Sequence, residues 1–353
     1  MTDPRLEQIA DWLRGELKLD LVRLEAASND ASFRRYFRAW GADGHTRVVM
    51  DAPPDKEDTA PFLKVAGLLA RCDVHVPRVD AVDAARGFVL LEDLGSTQYL
   101  VRLRAGVDPQ SLYGDALEAL RRIQLQGLQA ARELPPYDRA ALEREMALMP
   151  EWFCTRHLRL TLDAEDRGVL ADTFELLSHA ALSQPVVFVH RDYHSRNLMW
   201  LPQGNPGILD FQDALAGPIT YDLVSLLKDC YIDWPRARVE RWVEEYRARL
   251  VAQGGAADAA GAAGADPREF LRWFDLVGLQ RHIKVLGIFA RLWWRDGKSG
   301  YLADLPRTLQ YVRDAAGRYS QLSAFAAWLE RRVLPAFGPA NAAALTQAAP
   351  SGS

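Results

Sequence analysis

The sequence contains few cysteines and no long apolar run. Only three of its 353 residues are cysteines, and the wide separation of Cys72, Cys154 and Cys230 matches no spacing of metal ligands. We therefore expect buried, reduced thiols in a cytoplasmic protein. No stretch of about 18 consecutive apolar residues occurs, so no membrane-spanning segment is predicted. The acidic, amphipathic N-terminus does not predict a signal peptide.

Clusters of one charge are missing as well. The sequence has 43 Lys and Arg against 47 Asp and Glu, a formal net charge of −4, and its basic residues form no stripe. Nucleic acids and anionic membranes bind basic stripes, so neither is an expected partner. The hydrophobic content of 49% is that of an ordinary globular enzyme, and the length allows two lobes. We expect a monomer with a small-molecule substrate.

One polar loop between apolar runs carries most of the chemical information. Val186–Val189 is β-branched and aromatic and predicts a buried strand, and residues 198–211 predict a hairpin that ends near Asp210. This arrangement brings Asp192, Asn197 and Asp210 to one edge. A carboxylate on a loop can accept the proton of an attacking hydroxyl, and amide and carboxylate oxygens are Mg²⁺ ligands. The pattern predicts phosphoryl transfer, with Asp192 as catalytic base and Asn197 and Asp210 as metal ligands.

The segment from His190 to Asn197, followed by Leu209–Asp213, resembles the aminoglycoside phosphotransferase and choline kinase family. The resemblance extends from about residue 21 to about residue 336. It implies an α+β, bilobal protein-kinase-like fold. A small antiparallel-sheet N-terminal lobe would be joined to a large, mainly helical C-terminal lobe. It also implies that ATP and Mg²⁺ are bound.

Two further segments, Arg47–Pro54 and Gln280–Leu292, are similar to one branch of that family. This branch contains the bacterial kinases that phosphorylate the anomeric hydroxyl of N-acetylmuramate and N-acetylglucosamine in cell-wall sugar recycling. The resemblance implies the same reaction here. Other hydroxyl acceptors, such as aminoglycosides or choline, stay open, although the basic stretch Gln280–Arg295 does not suit a polycationic aminoglycoside.

Two hypotheses from other functional classes also stay open. The first is a non-catalytic nucleotide-binding module, since the third predicted strand lacks the lysine that kinase-like folds use to hold phosphates. The second is a metal-dependent hydrolase with His190, Asp192 and His194 as ligands. The first hypothesis leaves the complete set of Asp192, Asn197 and Asp210 without a purpose, and the second leaves Asn197 unexplained.

Residues 1–95 are predicted to form the nucleotide-binding lobe, with a leading helix. By the resemblance, backbone amides in the turn after the first strand would face the phosphates, and the segment after the last strand would bind adenine. The first set is Asn29, Asp30 and Ala31, and the second is Glu92, Asp93 and Leu94. The third strand contains no lysine, so a cation would come from Arg34, Arg35 or Arg38, and we include Arg34 among the nucleotide-binding candidates.

Residues 96–337 are predicted to form the catalytic and acceptor-binding lobe, and residues 338–353 a disordered tail. Asp222 lies before an apolar run and is interpreted as a helix N-cap rather than as an acid that orients the catalytic loop. Polar residues near the loop and on a basic, aromatic helix are candidates for substrate binding. They are His194, Arg196, Asp213, Arg281 and His282.

Overall fold

A computed structural model describes residues 3–29, 33–252 and 266–348 of the chain. The chain divides into two compact units. The first consists of Met1–Gly127 and Ser195–Ala214, and the second of Leu128–His194 and Leu215–Ser353. The first unit therefore extends past residue 95, where the sequence places the lobe boundary, and includes the hairpin of residues 198–208.

The first unit is built on a five-stranded antiparallel sheet with strand order β1-β2-β3-β5-β4. The strands are β1 (Leu21–Asn29), β2 (Arg35–Gly41), β3 (Thr46–Asp51), β4 (Val79–Asp83) and β5 (Phe88–Glu92). Successive side chains of a strand point to opposite faces of a sheet. Phe37 and Ala39 of β2 accordingly join a buried core with Trp12, and Tyr36 and Arg38 belong to the other face.

In the part of the first unit that the structure describes, helices and a hairpin accompany the sheet. The helices are α1 (Pro4–Asp11), which continues as a π-helical turn over Trp12–Glu16, α2 (Ala60–Ala70), α3 (Tyr99–Arg104) and α4 (Pro109–Gln126). The hairpin pairs Leu198–Met199 with Gly207–Ile208, as the sequence predicts. Phe62 of α2 stacks on Phe211, with ring centroids 5.0 Å apart. This contact packs α2 against the chain that follows the hairpin.

The second unit is mainly helical. Its helices are α5 (Leu128–Ala131), α6 (Arg139–Met146), α7 (Ala164–Leu182), α8 (Tyr221–Leu227), α9 (Arg236–Ala252), α10 (Pro267–Trp294), α11 (Leu305–Ala316), α12 (Ser323–Trp328) and α13 (Leu334–Ala348). Short π-helical segments span Met149–His157 and Leu329–Val333, and 3-10 turns span Ser299–Asp304 and Ser320–Leu322. Val186–Val189 pairs antiparallel with Leu215–Pro218. Within the described ranges, no helix has the length and apolarity needed to cross a membrane.

Residues 338–348 are helical, in contrast to the disordered tail that the sequence predicts. They form the end of α13, in which Asn341 and Ala344 are buried. The segment is rich in alanine, the residue with the highest helix propensity, and its buried side chains add packing that composition alone does not reveal. Residues 349–353 lie outside the described residues.

Helix α10 is buried around most of its circumference, and one glycine allows its closest contact. A Cβ atom added to Gly287 would lie 2.4 Å from the carbonyl carbon of Leu148, which is backbone and cannot turn aside. A Cβ atom added to Gly278, on the same helix, would meet nothing closer than 3.6 Å. The two glycines therefore differ in steric environment, although both are interior helix positions.

We predict that Gly287→Ala lowers the free energy of unfolding by about 1–3 kcal/mol, because the added methyl group must displace the backbone at Leu148. Gly278→Ala is the matched control. It should be neutral or stabilising by up to about 1 kcal/mol, since alanine has the higher helix propensity. Urea unfolding followed by circular dichroism measures both variants, and equal stabilities would contradict the prediction.

Candidate active site

The first unit contains a cavity of about 350 Å³ against the face of the sheet that carries Tyr36 and Arg38. Its apolar wall consists of Ala27, Val48, Phe62, Pro77, Leu91, Leu94, Met199, Leu209 and Phe211. Its polar lining includes Arg38, Glu92, Asp93, Arg196, Asn197 and Asp210. An apolar slot with a few polar groups suits a flat heteroaromatic ring joined to a charged group.

The cavity is lined by the three residues that the sequence analysis predicts to bind adenine, Glu92, Asp93 and Leu94. The Asp93 carboxylate accepts two hydrogen bonds from Arg38, at 2.6 and 2.9 Å, and one from the Gly95 backbone N–H at 2.9 Å. Burial alone would raise the pKa of Asp93, but the Arg38 guanidinium outweighs burial and lowers it. The ionised side chain thus fixes the segment after β5 in one conformation.

Asn197 and Asp210 are brought together, as predicted. The Asn197 amide donates to the Asp210 carboxylate at 3.1 Å, and the Gln212 amide donates to its other oxygen at 2.8 Å. The backbone N–H of Leu209 donates to the Asn197 carbonyl at 2.9 Å, which joins the two strands of the hairpin beside the cavity. Asn197 and Asp210 therefore lie in contact with each other, and both line the cavity.

This pair fits Mg²⁺ rather than a closed metal cage. Mg²⁺ usually takes one or two protein oxygens and completes its octahedral shell with water and phosphate oxygens. Within residues 3–29, 33–252 and 266–348, no group of three or more His, Cys, Asp or Glu could hold a metal ion. The hydrolase hypothesis, which needs His190, Asp192 and His194 as joint ligands, has no support from this arrangement.

The remaining candidates for nucleotide binding differ in their positions relative to the cavity. Arg34 lies just before β2 and forms an ion pair with Glu57 at 3.3 Å. Asn29 is the last residue of β1, opposite Arg35, and Asp30 and Ala31 lie outside the described residues. Arg38, which the sequence analysis left among several alternatives, lines the cavity directly.

In the second unit, Asp222 holds the backbone of the loop that follows Val189. Its fully buried carboxylate accepts hydrogen bonds from the backbone N–H groups of His190, at 2.6 Å, and Arg191, at 2.9 Å. Burial raises the pKa of Asp222 to about 7, although both N–H groups lower it. The N-cap of α8 is Thr220, so the interpretation of Asp222 as a helix cap is wrong. The error arose because the loop partner is about 30 residues away in sequence.

Asp192 lies beside a buried cation. The Arg281 guanidinium is 3.8 Å from the Asp192 carboxylate, and the side chains are 5% and 40% exposed respectively. Burial alone would raise the pKa of Asp192, but the charges of Lys284, His194 and Arg281 outweigh it and keep the pKa below its ordinary value. The carboxylate is therefore ionised at neutral pH and reachable from solvent, as a proton acceptor must be.

A second carboxylate, which the sequence analysis did not select, organises the cations around Asp192. Glu145 of α6 forms ion pairs with Arg191 and with Lys284, the latter at 3.0 Å. Lys284 lies one helical turn after Arg281, so both cations project from one face of α10. The basic helix was visible in the sequence, but Glu145 stands among ordinary helical residues and only the fold brings it close.

The other candidate substrate residues have contrasting surroundings. The His194 ring packs edge-to-face on Tyr231 at 5.4 Å, near the charge of Asp192. His282 is buried, hydrogen-bonds the Lys228 carbonyl at 2.9 Å and stacks on Tyr311. Burial lowers the pKa of His282 to about 3, so its ring is neutral. These contacts make His282 a packing residue of the interior rather than an exposed sugar ligand.

Arg196 and Asp213 belong to the first unit. Arg196 lines the cavity beside Asn197, and Asp213 lies close enough to Arg34 for its charge to raise the pKa of the guanidinium. Arg196 therefore lies at the cavity, and Asp213 lies near Arg34.

Solved structures with little sequence identity share this fold. An ethanolamine kinase from Plasmodium vivax is similar with a TM-score of 0.60 at 11% identity, covering 88% of this chain and 90% of that one. An aminoglycoside 2'-phosphotransferase-IIIa is similar with a TM-score of 0.58 at 16% identity, covering 90% of this chain and all of that one. The expected α+β protein-kinase-like fold is confirmed.

Curated relatives are much closer in sequence. N-acetylmuramate/N-acetylglucosamine kinases from Pseudomonas putida and Neisseria meningitidis are 46% and 43% identical. They match 91% and 90% of this chain, over 94% and 92% of their own lengths. The model of the phosphotransferase enzyme family matches residues 23–264. The resemblance inferred from the catalytic segment is confirmed, and the chain belongs to the phosphotransferase enzyme family.

Proposed function

We propose that this protein is an ATP-dependent kinase that phosphorylates the anomeric hydroxyl of N-acetylmuramate and N-acetylglucosamine. The observation that carries the proposal is the 46% identity, over nearly the full chain, to kinases named for these two sugars. The complete set of Asp192, Asn197 and Asp210, with the two acids in surroundings that suit a base and a metal ligand, supports a catalytic protein over a passive nucleotide-binding module.

The cavity of the first unit would hold the nucleotide. Its apolar wall would take the adenine ring, and the backbone of Glu92–Leu94 would bind the ring edge. Asn197 and Asp210 would hold Mg²⁺, which when bound neutralises charge on the phosphates. Of the remaining candidates, Asn29, Asp30 and Ala31 would supply backbone amides and Arg34 a cation.

Asp192 would act as the catalytic base. The anomeric oxygen attacks the γ-phosphorus, and its proton passes to the Asp192 carboxylate as the new O–P bond forms. The bond between the γ-phosphorus and the β–γ bridging oxygen breaks, and ADP leaves. Arg281 and Lys284 keep Asp192 ionised and ready to accept the proton. Asp222 keeps the loop backbone in place throughout.

The cations near Asp192 also suit the carboxylate of the lactyl group on N-acetylmuramate. Arg281 and Lys284 lie on one face of α10, and His194 and Tyr231 supply a polar and an aromatic surface nearby. A polycationic aminoglycoside would be repelled by the same charges. We therefore favour amino sugars over the other acceptors of the family.

The test is ADP release from Mg²⁺-ATP with N-acetylmuramate, N-acetylglucosamine, kanamycin and choline as separate acceptors. We expect release with the two N-acetyl sugars, and phosphorus NMR should show a sugar 1-phosphate product. Release only with kanamycin or choline would contradict the proposed acceptor. Measurable ATP binding without release from any acceptor would favour the non-catalytic module.

A further inference from the structure

We propose that Arg34 and Glu57 form the phosphate-holding pair of this protein, in place of the strand lysine and helix glutamate of protein kinases. The inference rests on the proposed function, because it concerns the same nucleotide. It is motivated by β3, where Val48 lines the cavity and no lysine is present on the strand. A nucleoside triphosphate still needs cations around its phosphates, so the positive charge must come from a residue outside β3.

Arg34 lies close to the residues of β2 whose side chains line the cavity. Tyr36 and Arg38 line the cavity from one face of β2, and Arg34 immediately precedes this strand, two residues before Tyr36. The Arg34 guanidinium hydrogen-bonds the Tyr36 side chain. Arg34 therefore lies next to the cavity wall, at the start of β2.

A second contact brings Arg34 to the metal-binding end of the cavity. Burial alone would lower the pKa of Arg34, but Tyr36, Glu57 and Asp213 outweigh it and raise the pKa. Asp213 comes three residues after the proposed metal ligand Asp210. The guanidinium thus lies near the loop where the phosphates and Mg²⁺ would be bound, and it stays charged there.

Glu57 is placed to orient this guanidinium. Its two carboxylate oxygens accept hydrogen bonds from Arg34 and from the Phe33 backbone N–H, each at 3.3 Å. The side chains of Arg34 and Glu57 are only 10% and 16% exposed, so the pair is sheltered from solvent. Glu57 lies in the segment just before α2.

The other arginines of the sheet serve different anions. Arg35 pairs with Asp51, which is fully buried, on the opposite face of the sheet. Arg38 donates through two of its nitrogens to Asp93 and Gly95, and Arg47 pairs with Asp43 near a turn. Arg34 is paired with Glu57 at 3.3 Å, which is longer than the usual charge-assisted hydrogen bond.

The inference is tested by calorimetric titration of the full-length protein with Mg²⁺-ATP and, separately, with adenosine. Arg34→Ala should weaken ATP binding about 10- to 100-fold, because one charge-assisted phosphate contact is lost. Adenosine lacks phosphates, so its affinity should stay within about twofold of wild type. Arg47→Ala, which removes the same charge from the same sheet, should change neither affinity.

Glu57 is tested by a double-variant cycle. Glu57→Gln should weaken ATP binding less than Arg34→Ala does, and the double variant should bind ATP no more weakly than Arg34→Ala alone, because Glu57 acts only through Arg34. Wild-type ATP affinity in Arg34→Ala, or equal losses for ATP and adenosine, would overturn the inference. A wild-type protein that binds no ATP would contradict the proposed function and this inference together. ATP binding without phosphorylation of either sugar would contradict the proposed function alone.

Discussion

Asp192→Asn should lower kcat for sugar phosphorylation about 1,000-fold, within the range expected for loss of a general base. The asparagine keeps the shape of the side chain but cannot accept the proton of the attacking hydroxyl. ATP affinity should change little, because the cavity lining belongs to other residues. Steady-state kinetics with N-acetylglucosamine, combined with ATP titration, separates these two effects.

The control for this variant is Asp172→Asn, which removes the same charge from an exposed position of α7. Its kcat should equal that of wild type. A second check is the free energy of unfolding, since Asp192→Asn removes the carboxylate that lies 3.8 Å from the buried Arg281 guanidinium. If Asp192→Asn retained more than about one tenth of wild-type kcat at full ATP saturation, proton transfer to Asp192 would not be part of the rate-limiting chemistry.

The hairpin was the part of the candidate site that the sequence could predict well. Asn197 and Asp210 lie at its two ends, so the pairing of its strands fixes their spacing almost independently of the rest of the chain. The strand that leads into the proposed adenine-binding segment was likewise predictable, because a hydrophobic run followed by the acids Glu92 and Asp93 is a local pattern.

The supporting residues could not be predicted in the same way. Glu145 and Asp222 lie on helices with ordinary composition, and their partners are contributed by distant segments. Asp222 has a second, local explanation as a helix cap, and the local explanation was the wrong one. His282 was selected because the sequence of α10 is basic and aromatic, but a helix buried nearly all round gives no reliable sign of which polar side chain faces a substrate.

The second large expected effect is on stability, at a buried ion cluster centred on Asp275 of α10. The Asp275 carboxylate accepts hydrogen bonds from Lys228 and Arg236, both at 2.8 Å, and from the Tyr319 hydroxyl at 3.0 Å. Asp275 is 1% exposed and Lys228 is 9% exposed. Burial and the neighbouring charge of Arg236 lower the pKa of Lys228, although Asp275 raises it, so one carboxylate offsets two cations.

We predict that Asp275→Asn lowers the free energy of unfolding by about 3–5 kcal/mol, since it leaves the buried Lys228 ammonium without its carboxylate partner and beside the Arg236 guanidinium. Glu240→Gln is the matched control. Glu240 pairs with the same Arg236 at 2.6 Å, but its side chain is 42% exposed. An exposed pair contributes at most about 1 kcal/mol. Urea unfolding should therefore show a much larger loss of unfolding free energy for Asp275→Asn than for Glu240→Gln. Equal losses of unfolding free energy would show that burial does not control the energetics of this cluster.

The pH dependence of that difference tests its electrostatic origin. Burial alone would raise the pKa of Asp275, but Lys228 and Arg236 outweigh it and lower the pKa from 3.8 to about 2. A carboxylate with a lowered native pKa stabilises the fold above its unfolded pKa, and the contribution is lost as the pH falls toward the native value. That contribution is about 2 kcal/mol. The difference in the free energy of unfolding between wild type and Asp275→Asn should therefore be constant near neutral pH and decrease as the pH falls from about 4 toward about 2. A difference that does not depend on pH would show that the lost stability comes from packing instead.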